Sequence, residues 1–329
     1  MRCGVPLQRQ SRTDLNGQLP ARESECIIHK RTVLLGVICA IATVTIWATF
    51  LVGTRFAVKS AFTVQEILFL RLVPAALIMS PFMIKLGIWP KGQSWFGIFF
   101  ISIGASVIFP LFVTSGLQFA PASDAGALAP GMIPIWTALA AYFITGERPK
   151  KMALCGLIMI LAGVLMVGLW PSLFALNFTV LKGYLLCFTG AGLFSIYAVI
   201  YRQSGITALH SLVIGLFWGA LLIGPGLLLF GQVPFAQAEL HDIFYMLILQ
   251  GIIIAILALL LFNLAVNLLG APQAAAFGAL TPVLALLGGV WLLGEVASPL
   301  KIAGVTIVSA GVFLASGVMP AILSRAFKF

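Results

Sequence analysis

The sequence predicts an all-α integral membrane protein with ten transmembrane helices, arranged as two inverted five-helix repeats. Three observations predict this fold: an apolar composition, ten apolar runs of spanning length, and a motif that recurs at a fixed offset. Of 329 residues, 61% are apolar and 9% are charged, whereas about 25% of a typical soluble domain is charged. Such a chain cannot cover a water-soluble globule, which excludes soluble enzymes, nucleic-acid readers and disordered proteins.

Apolar runs alternate with short breaks that contain Pro, Gly or charged residues, for example at 89–92 and 146–149. A helix needs about 20 apolar residues to cross a bilayer. The predicted spans are 32–52, 64–84, 94–116, 122–144, 152–170, 180–200, 209–230, 242–264, 272–293 and 300–319. The loops between them are too short to hold a catalytic domain.

The two halves of the chain repeat each other. At an offset of 148, the identical pairs are Ala127 and Ala275, Pro134 and Pro282, Gly146 and Gly294, Glu147 and Glu295, Gly156 and Gly304, Gly163 and Gly311, and Val164 and Val312. At an offset of 147, Arg55 falls on Arg202, and Phe50 on Tyr197. We predict a polar tail at 1–31, a first repeat at 32–171, a second repeat at 172–319 and a C-terminal tail at 320–329. Five crossings is an odd number, so the second copy is inserted upside down.

The charge distribution predicts the orientation. With the N-terminus inside, the tails and inward loops carry 14 Lys and Arg residues, and the outward loops carry four: Arg55, Lys59, Lys182 and Lys301. The positive-inside rule therefore places both termini in the cytoplasm. The tail at 1–31 lacks an apolar core, so we predict a cytoplasmic tail and not a cleaved signal peptide. Basic residues sit at the edges of apolar runs, which indicates the lipid bilayer as partner and no nucleic acid.

With these features, the chain resembles the ten-helix EamA-type branch of the drug/metabolite transporter superfamily. The resemblance covers about 32–319 and rests on the five-plus-five repeat, on the Pro to Gly-Glu pattern closing each half, and on Arg71 in the second span. It implies secondary transport, commonly export of amino acids, their derivatives and other small metabolites across a bacterial plasma membrane. Members share a fold and not a substrate, so the cargo does not follow from the fold.

Polar residues inside the spans are candidates for the transport path, because lipid-facing surfaces stay apolar. Arg71 is either an anchor for a substrate carboxylate or a structural clamp that snorkels to the interface. Asp124 either caps the fourth helix together with Ser123, or exchanges a coupling proton in a cavity. Gln118 and Asn267, and Asp124 and Gln273, match each other between the halves. The remaining predicted path residues are Trp47, Trp136, Tyr197 and Asn263.

Other recurring residues predict structural roles. Glu147 and Glu295 are expected on opposite membrane faces, where each accepts N–H bonds from the start of the next helix. Pro130, Pro134 and Pro282 are expected to kink the fourth and ninth helices. The glycine pairs Gly156 with Gly163 and Gly304 with Gly311 suit close helix contact, within the subunit or across a homodimer.

The sequence therefore predicts a permease that moves a small molecule by alternating access, with a proton as coupling ion. Motifs for nucleotide or metal binding are absent from the sequence, so no cofactor, metal or enzymatic activity is predicted. Three alternatives stay open. A nucleotide-sugar or sugar-phosphate exchanger needs more intramembrane basic residues than Arg71. A lipid-carrier flippase or intramembrane enzyme needs paired carboxylates, a metal cluster or a basic head-group site. A passive channel would give a flux that does not saturate as the substrate concentration rises.

Overall fold

The structure is a computed structural model that describes residues 21–90, 92, 94–169, 177–230, 235–269, 274 and 277–316. In this part of the chain, every regular element is a helix. We number the helices α1 to α10, and we count consecutive α, π and 3₁₀ stretches of one rod as one helix. Gln273 and the two predicted tails, except for 21–31, lie outside the described residues.

The first repeat contains α1 to α5. Their bounds are Ala21–Ser60 for α1, Val64–Leu86 for α2, Trp95–Phe99 with Phe100–Ile108 and Phe109–Leu117 for α3, Ala122–Leu128 with Pro130–Met132 and Ile133–Thr145 for α4, and Lys151–Val164 with Leu165–Leu169 for α5. The first helix extends beyond the predicted end at 52, because no proline interrupts the stretch from Val52 to Ser60 and the single glycine, Gly53, is tolerated within a helix. Arg55 and Lys59, which the sequence placed in a loop, are therefore helical.

The second repeat contains α6 to α10. Their bounds are Phe178–Ser204 for α6, Ala208–Phe230 for α7, Leu240–Met246 with Leu247–Leu257 and Ala258–Leu269 for α8, Leu280–Leu293 for α9, and Pro299–Ala315 for α10. Among the described residues, seven helices are long and apolar enough to cross a membrane, and three apolar helices, in α5, α9 and α10, are shorter. The count of ten full spans stays a prediction.

The fourth helix is broken at its prolines, as predicted. The stretch Ala122–Leu128 ends at Ala129, where φ is −95° and ψ is −80°, and a 3₁₀ turn at Pro130–Met132 leads into Ile133–Thr145. Proline lacks the N–H that would continue the α-helical ladder. In the second repeat, a turn at 278–279 precedes Leu280, so the described part of α9 begins at the corresponding place.

The closing helices of the two repeats, α5 and α10, cross at their glycines within one subunit. A Cβ on Gly156 would lie 2.6 Å from the carbonyl oxygen of Gly311, and one on Gly163 would lie 2.6 Å from that of Gly304. Only a hydrogen atom fits between backbones this close. Of the two packing alternatives left open by the sequence, contact within the subunit is the one that the structure contains.

Wide π-helical turns occupy the same register in both repeats. The stretch Phe100–Ile108 lies in α3 and Leu247–Leu257 lies in α8, and the offset of 147 that aligns the opening helices also aligns their first residues. The π-helix is rare, and single π turns within α-helices are often found at functional sites. The two repeats therefore share an irregularity of backbone as well as a sequence motif.

Candidate functional site

Glu295 holds the start of α4 in place across the repeat boundary. Its Oε1 accepts a hydrogen bond from Ala122 N at 2.6 Å, and its Oε2 accepts one from Ser123 N at 2.9 Å. These N–H groups begin a helix and lack partners within it, so a carboxylate suits them in charge and geometry. The expectation that Glu295 accepts from the next helix is wrong about the helix, because Ser298 caps α10 and Glu295 caps α4.

The turn after α9 brings Glu295 to this position. Gly294 has φ 66° and ψ 24°, the left-handed conformation that favours glycine. The side chain of Glu295 then lies against Gly289, where a Cβ would be 2.5 Å from Oε2. The Gly-Glu pair is thus a unit, in which the glycine turns the chain and the glutamate reaches the other repeat.

Asp124 forms a buried ion pair with Lys301, a residue that the sequence placed in a loop. Lys301 Nζ lies 2.7 Å from Asp124 Oδ1, and the two side chains are 13% and 4% exposed. Tyr184 donates to Asp124 Oδ2 at 2.7 Å, and Lys301 also donates to Ser123 Oγ at 3.2 Å. The prediction that Ser123 or Asp124 caps α4 is wrong: Pro121 is the N-cap without a side-chain bond, and Glu295 supplies the acceptor.

Arg55 completes this group of charges. Its Nη1 donates to the carbonyl oxygen of Leu117, at the end of α3, at 2.6 Å, and it interacts electrostatically with Glu295 and Asp124. We call Arg55, Ser123, Asp124, Tyr184, Glu295 and Lys301 the Glu295 cluster. Its bonds link α1 to α3 within the first repeat, and they link α4 to α6, to the end of α9 and to α10 across the two repeats.

At the opposite end of the bundle, the repeat-related residues Arg202 and Glu147 form an exposed ion pair. Arg202 Nη1 lies 3.4 Å from Glu147 Oε2, and the two side chains are 77% and 57% exposed. Arg202 is the counterpart of Arg55, and Glu147 that of Glu295. Gly146 has the same left-handed conformation as Gly294, with φ 73°. The same residues are therefore partly buried and bonded to other helices at the Glu295 end, whereas they form an exposed ion pair at the Glu147 end.

Arg71 of α2 and Gln250 of α8 both contact α1, away from the Glu295 cluster. The guanidinium carbon of Arg71 lies 4.8 Å from the centroid of the Phe50 ring. Gln250 is fully buried and donates from Nε2 to Thr54 Oγ1 at 2.9 Å. Arg71 Nη1 and Gln250 Oε1 are buried and have no hydrogen-bond partner among the described residues.

The other predicted path residues are dispersed. Trp47 packs on Phe262 of α8 with ring centroids 5.3 Å apart. Trp136 meets Phe188 edge-on at 4.9 Å, and its buried Nε1 has no partner in the described chain. Tyr197 exchanges a hydrogen bond with Ser211 at 3.2 Å.

The remaining amides are less enclosed. Gln118 and Asn263 are partly buried and Asn267 is exposed. The structural motif residues Pro134 and Pro282 lie at the two helix breaks already described.

Sequence reasoning missed Lys301, Tyr184 and Gln250. Lys301 was counted among the outward-loop residues, although it lies at the start of the predicted span 300–319, and the structure places it in the first turn of α10. Lys301 is buried at the start of its span, so Arg71 remains the basic residue predicted to lie further inside a span. Gln250 could have been found as the single polar residue in Leu247–Leu257.

The comparisons with known proteins agree with this architecture. A solved structure titled "Crystal structure of protein" superposes with a TM-score of 0.60 over 91% of this chain and 99% of that chain, at 18% identity, which is a likeness of fold. No curated protein matches the chain. The model of the EamA-like transporter family matches twice, at residues 34–169 and 181–317. The chain therefore belongs to the EamA-like transporter family, as a multi-pass membrane transporter built from two copies of that unit.

Proposed function

We propose that the protein is a secondary active transporter that exports a small metabolite, such as an amino acid or a derivative, across the plasma membrane by proton-coupled alternating access. The observation that carries the proposal is the unequal state of the two ends. Glu295 and its partners are bonded across the repeats, whereas Glu147 and Arg202 are 57% and 77% exposed. An alternating-access transporter needs two related ends of which one is closed while the other is open.

The orientation follows from the distribution of basic residues. With both termini in the cytoplasm, the Glu295 end faces outward and the Glu147 end faces inward. The arrangement then corresponds to a transporter closed to the outside and ready to take a substrate from the cytoplasm. The reverse state would require the start of α4 to leave Glu295 and α10.

Asp124 is the proposed proton carrier. The charged and titratable groups that face it are Lys301 of α10, Tyr184 and Cys187 of α6, Glu295 after α9 and Arg55 of α1. Opening the Glu295 end separates α4 from α10 and removes Lys301 from Asp124. A carboxylate left without its cation in a weakly polar site favours its neutral form, so it takes up a proton from the side that has opened.

The phosphate-exchanger alternative has little support in this arrangement. Lys301 is paired with Asp124, and Arg55 is bonded to Leu117. The Arg55 guanidinium and the Lys301 ammonium group are therefore already occupied. Neither can join Arg71 in holding a phosphate, which usually needs more than one cation.

Transport in proteoliposomes tests the proposal. The probe is a radiolabelled pool of the twenty standard amino acids and their N-acetyl derivatives. An imposed pH gradient should drive saturable accumulation of at least one compound. Asp124→Asn should abolish this accumulation and leave counterflow exchange, and Glu239→Gln, whose side chain is 80% exposed, should change neither. No accumulation, or unchanged accumulation in Asp124→Asn, would contradict the proposal, and currents at channel rates would establish a channel.

A further inference from the structure

Arg71 points into the bundle and not toward lipid. Of its four neighbours at three and four residues' distance on α2, Ile67, Leu68 and Ala75 are at most 1% exposed, and Pro74 is partly buried. Residues at this spacing share a helix face. Arg71 lies seven residues into α2, about 10 Å along its axis.

Arg71 has no counter-ion among the described residues. No carboxylate lies within ion-pair distance of its guanidinium. Glu66, the acidic residue nearest in sequence, accepts instead from the backbone N–H groups of Thr63 and Phe235. A cation inside a membrane protein without a partner is costly, and such residues mark substrate or ion paths.

Gln250 presents an acceptor to the same place. Its side chain is held by the bond to Thr54, which leaves Oε1 buried and without a donor in the described chain. A buried acceptor without a donor is costly, because it has lost its hydrogen bonds to water. Gln250 also lies in the π-helical stretch of α8, where the backbone is wider than an α-helix.

The two head groups converge on one stripe of α1. Arg71 covers Phe50, and Gln250 bonds Thr54, one helical turn further along. Helices α2 and α8 are in backbone contact beside them, since a Cβ on Gly251 would lie 2.8 Å from the carbonyl oxygen of Leu70. A positively charged donor group and a neutral acceptor thus contact α1 one helical turn apart, where α2 and α8 touch.

We propose that Arg71 and Gln250 form the head-group subsite of the transport path, and that it takes a monoanion with a carboxylate and a neutral N–H on the adjacent carbon, as in an N-acyl amino acid. The guanidinium binds the carboxylate through paired N–H bonds, and Gln250 Oε1 accepts the N–H. The Phe50 ring supports the guanidinium. The subsite supplies one cation and a neutral acceptor, so it favours a neutral amide N–H over the ammonium group of a zwitterion, which would be desolvated without an anion. This assignment rests on the proposed transport function.

Equilibrium binding to purified protein in nanodiscs tests the assignment. The probes are N-acetyl-L-phenylalanine, its uncharged amide, L-phenylalanine, and 3-phenylpropanoate, which has the carboxylate and no N–H. The unaltered protein should bind N-acetyl-L-phenylalanine more tightly than the amide and the zwitterion. Arg71→Gln should weaken both carboxylates about tenfold or more, because a hydrogen bond to a charged group is worth about 1.5–3 kcal/mol.

Gln250→Leu separates the second contact. It should weaken N-acetyl-L-phenylalanine about threefold to tenfold and leave 3-phenylpropanoate unchanged, since that probe has no N–H to lose. Arg148→Gln, at an exposed arginine, is the matched charge control and should bind as the unaltered protein does. Arg71→Lys keeps the charge without the planar fork and should give intermediate affinity. Melting curves of all variants confirm that the bundle is intact.

Specific binding results would overturn the subsite or one of its two contacts. Binding of N-acetyl-L-phenylalanine that is unaffected by Arg71→Gln, or absent from the unaltered protein, overturns the subsite. If Gln250→Leu weakens the binding of N-acetyl-L-phenylalanine and of 3-phenylpropanoate equally, the proposed contact between Gln250 and the N–H group is contradicted. Binding needs no gradient, so the two proposals can fail separately. Selective binding without pH-driven accumulation would contradict proton-coupled transport and support the subsite. Accumulation that Arg71→Gln leaves unchanged would support transport and contradict the subsite.

Discussion

Lys301 and Asp124 belong to opposite repeats and meet as a buried ion pair, with Nζ 2.7 Å from Oδ1. Removing one member of a buried pair leaves the other charge uncompensated, at a cost of about 3–5 kcal/mol in the free energy of unfolding. Asp124→Asn and Lys301→Met should each lower the melting temperature in detergent. The double variant should lose less than the sum of the two single losses. Additive losses would show that the two side chains do not interact.

Glu295 and Glu147 should differ in their effect on stability, although they occupy the same place in the two repeats. Glu295→Gln weakens two charge-assisted bonds to the start of α4 and should destabilise the protein by about 1–3 kcal/mol. Glu147→Gln removes an exposed pair and should change stability by less than about 1 kcal/mol. Thermal unfolding of the two variants measures the difference. Equal losses would contradict the unequal state of the two ends.

Gly163 should tolerate no side chain. A Cβ there would lie 2.6 Å from the backbone oxygen of Gly304 and 2.8 Å from the backbone nitrogen of Val308, so α5 and α10 must separate. We expect Gly163→Ala to lower the free energy of unfolding by about 1–3 kcal/mol. Gly226→Ala is the matched control, because nothing lies within 4 Å of its Cβ position, and it should be neutral or slightly stabilising. Similar melting temperatures for both variants would contradict this packing.

Residues 150 and 298 should be reached from opposite sides of the membrane. Single cysteines are introduced as Lys150→Cys and Ser298→Cys, both at exposed positions, after the five natural cysteines have been replaced. A membrane-impermeant maleimide added to intact cells should label position 298 only, and position 150 only after the membrane is opened. Labelling of both positions from outside would contradict the inverted topology.

The inverted repeat could be predicted from the sequence because its markers are residues with strict local requirements. Gly146 and Gly294 adopt left-handed turns, and Pro130 and Pro134 break α4, so each marker fixes its own local conformation. The pattern of glycines on α5 and α10 likewise predicted close contact. These are properties of single positions or of one helix face.

The contacts of the Glu295 cluster could not be predicted in the same way. The partner of Glu295 is the start of α4, and the partner of Asp124 is Lys301, so both depend on how the two repeats are placed against each other. The repeat register relates Glu295 to Glu147 and Arg55 to Arg202 but does not say which end is closed. Gln250 was overlooked because its surroundings are continuously apolar, although a lone amide there is itself a signal.

The crossing of α5 and α10 has a consequence for the origin of the chain. Gly156 faces Gly311, which corresponds to Gly163, and Gly163 faces Gly304, which corresponds to Gly156. The contact surface is therefore self-complementary, as at the interface of a two-fold symmetric dimer. A polypeptide of half this length, inserted in both orientations, would join its own antiparallel copy through the same stripe. Joining the two halves in one chain keeps this contact within a single molecule.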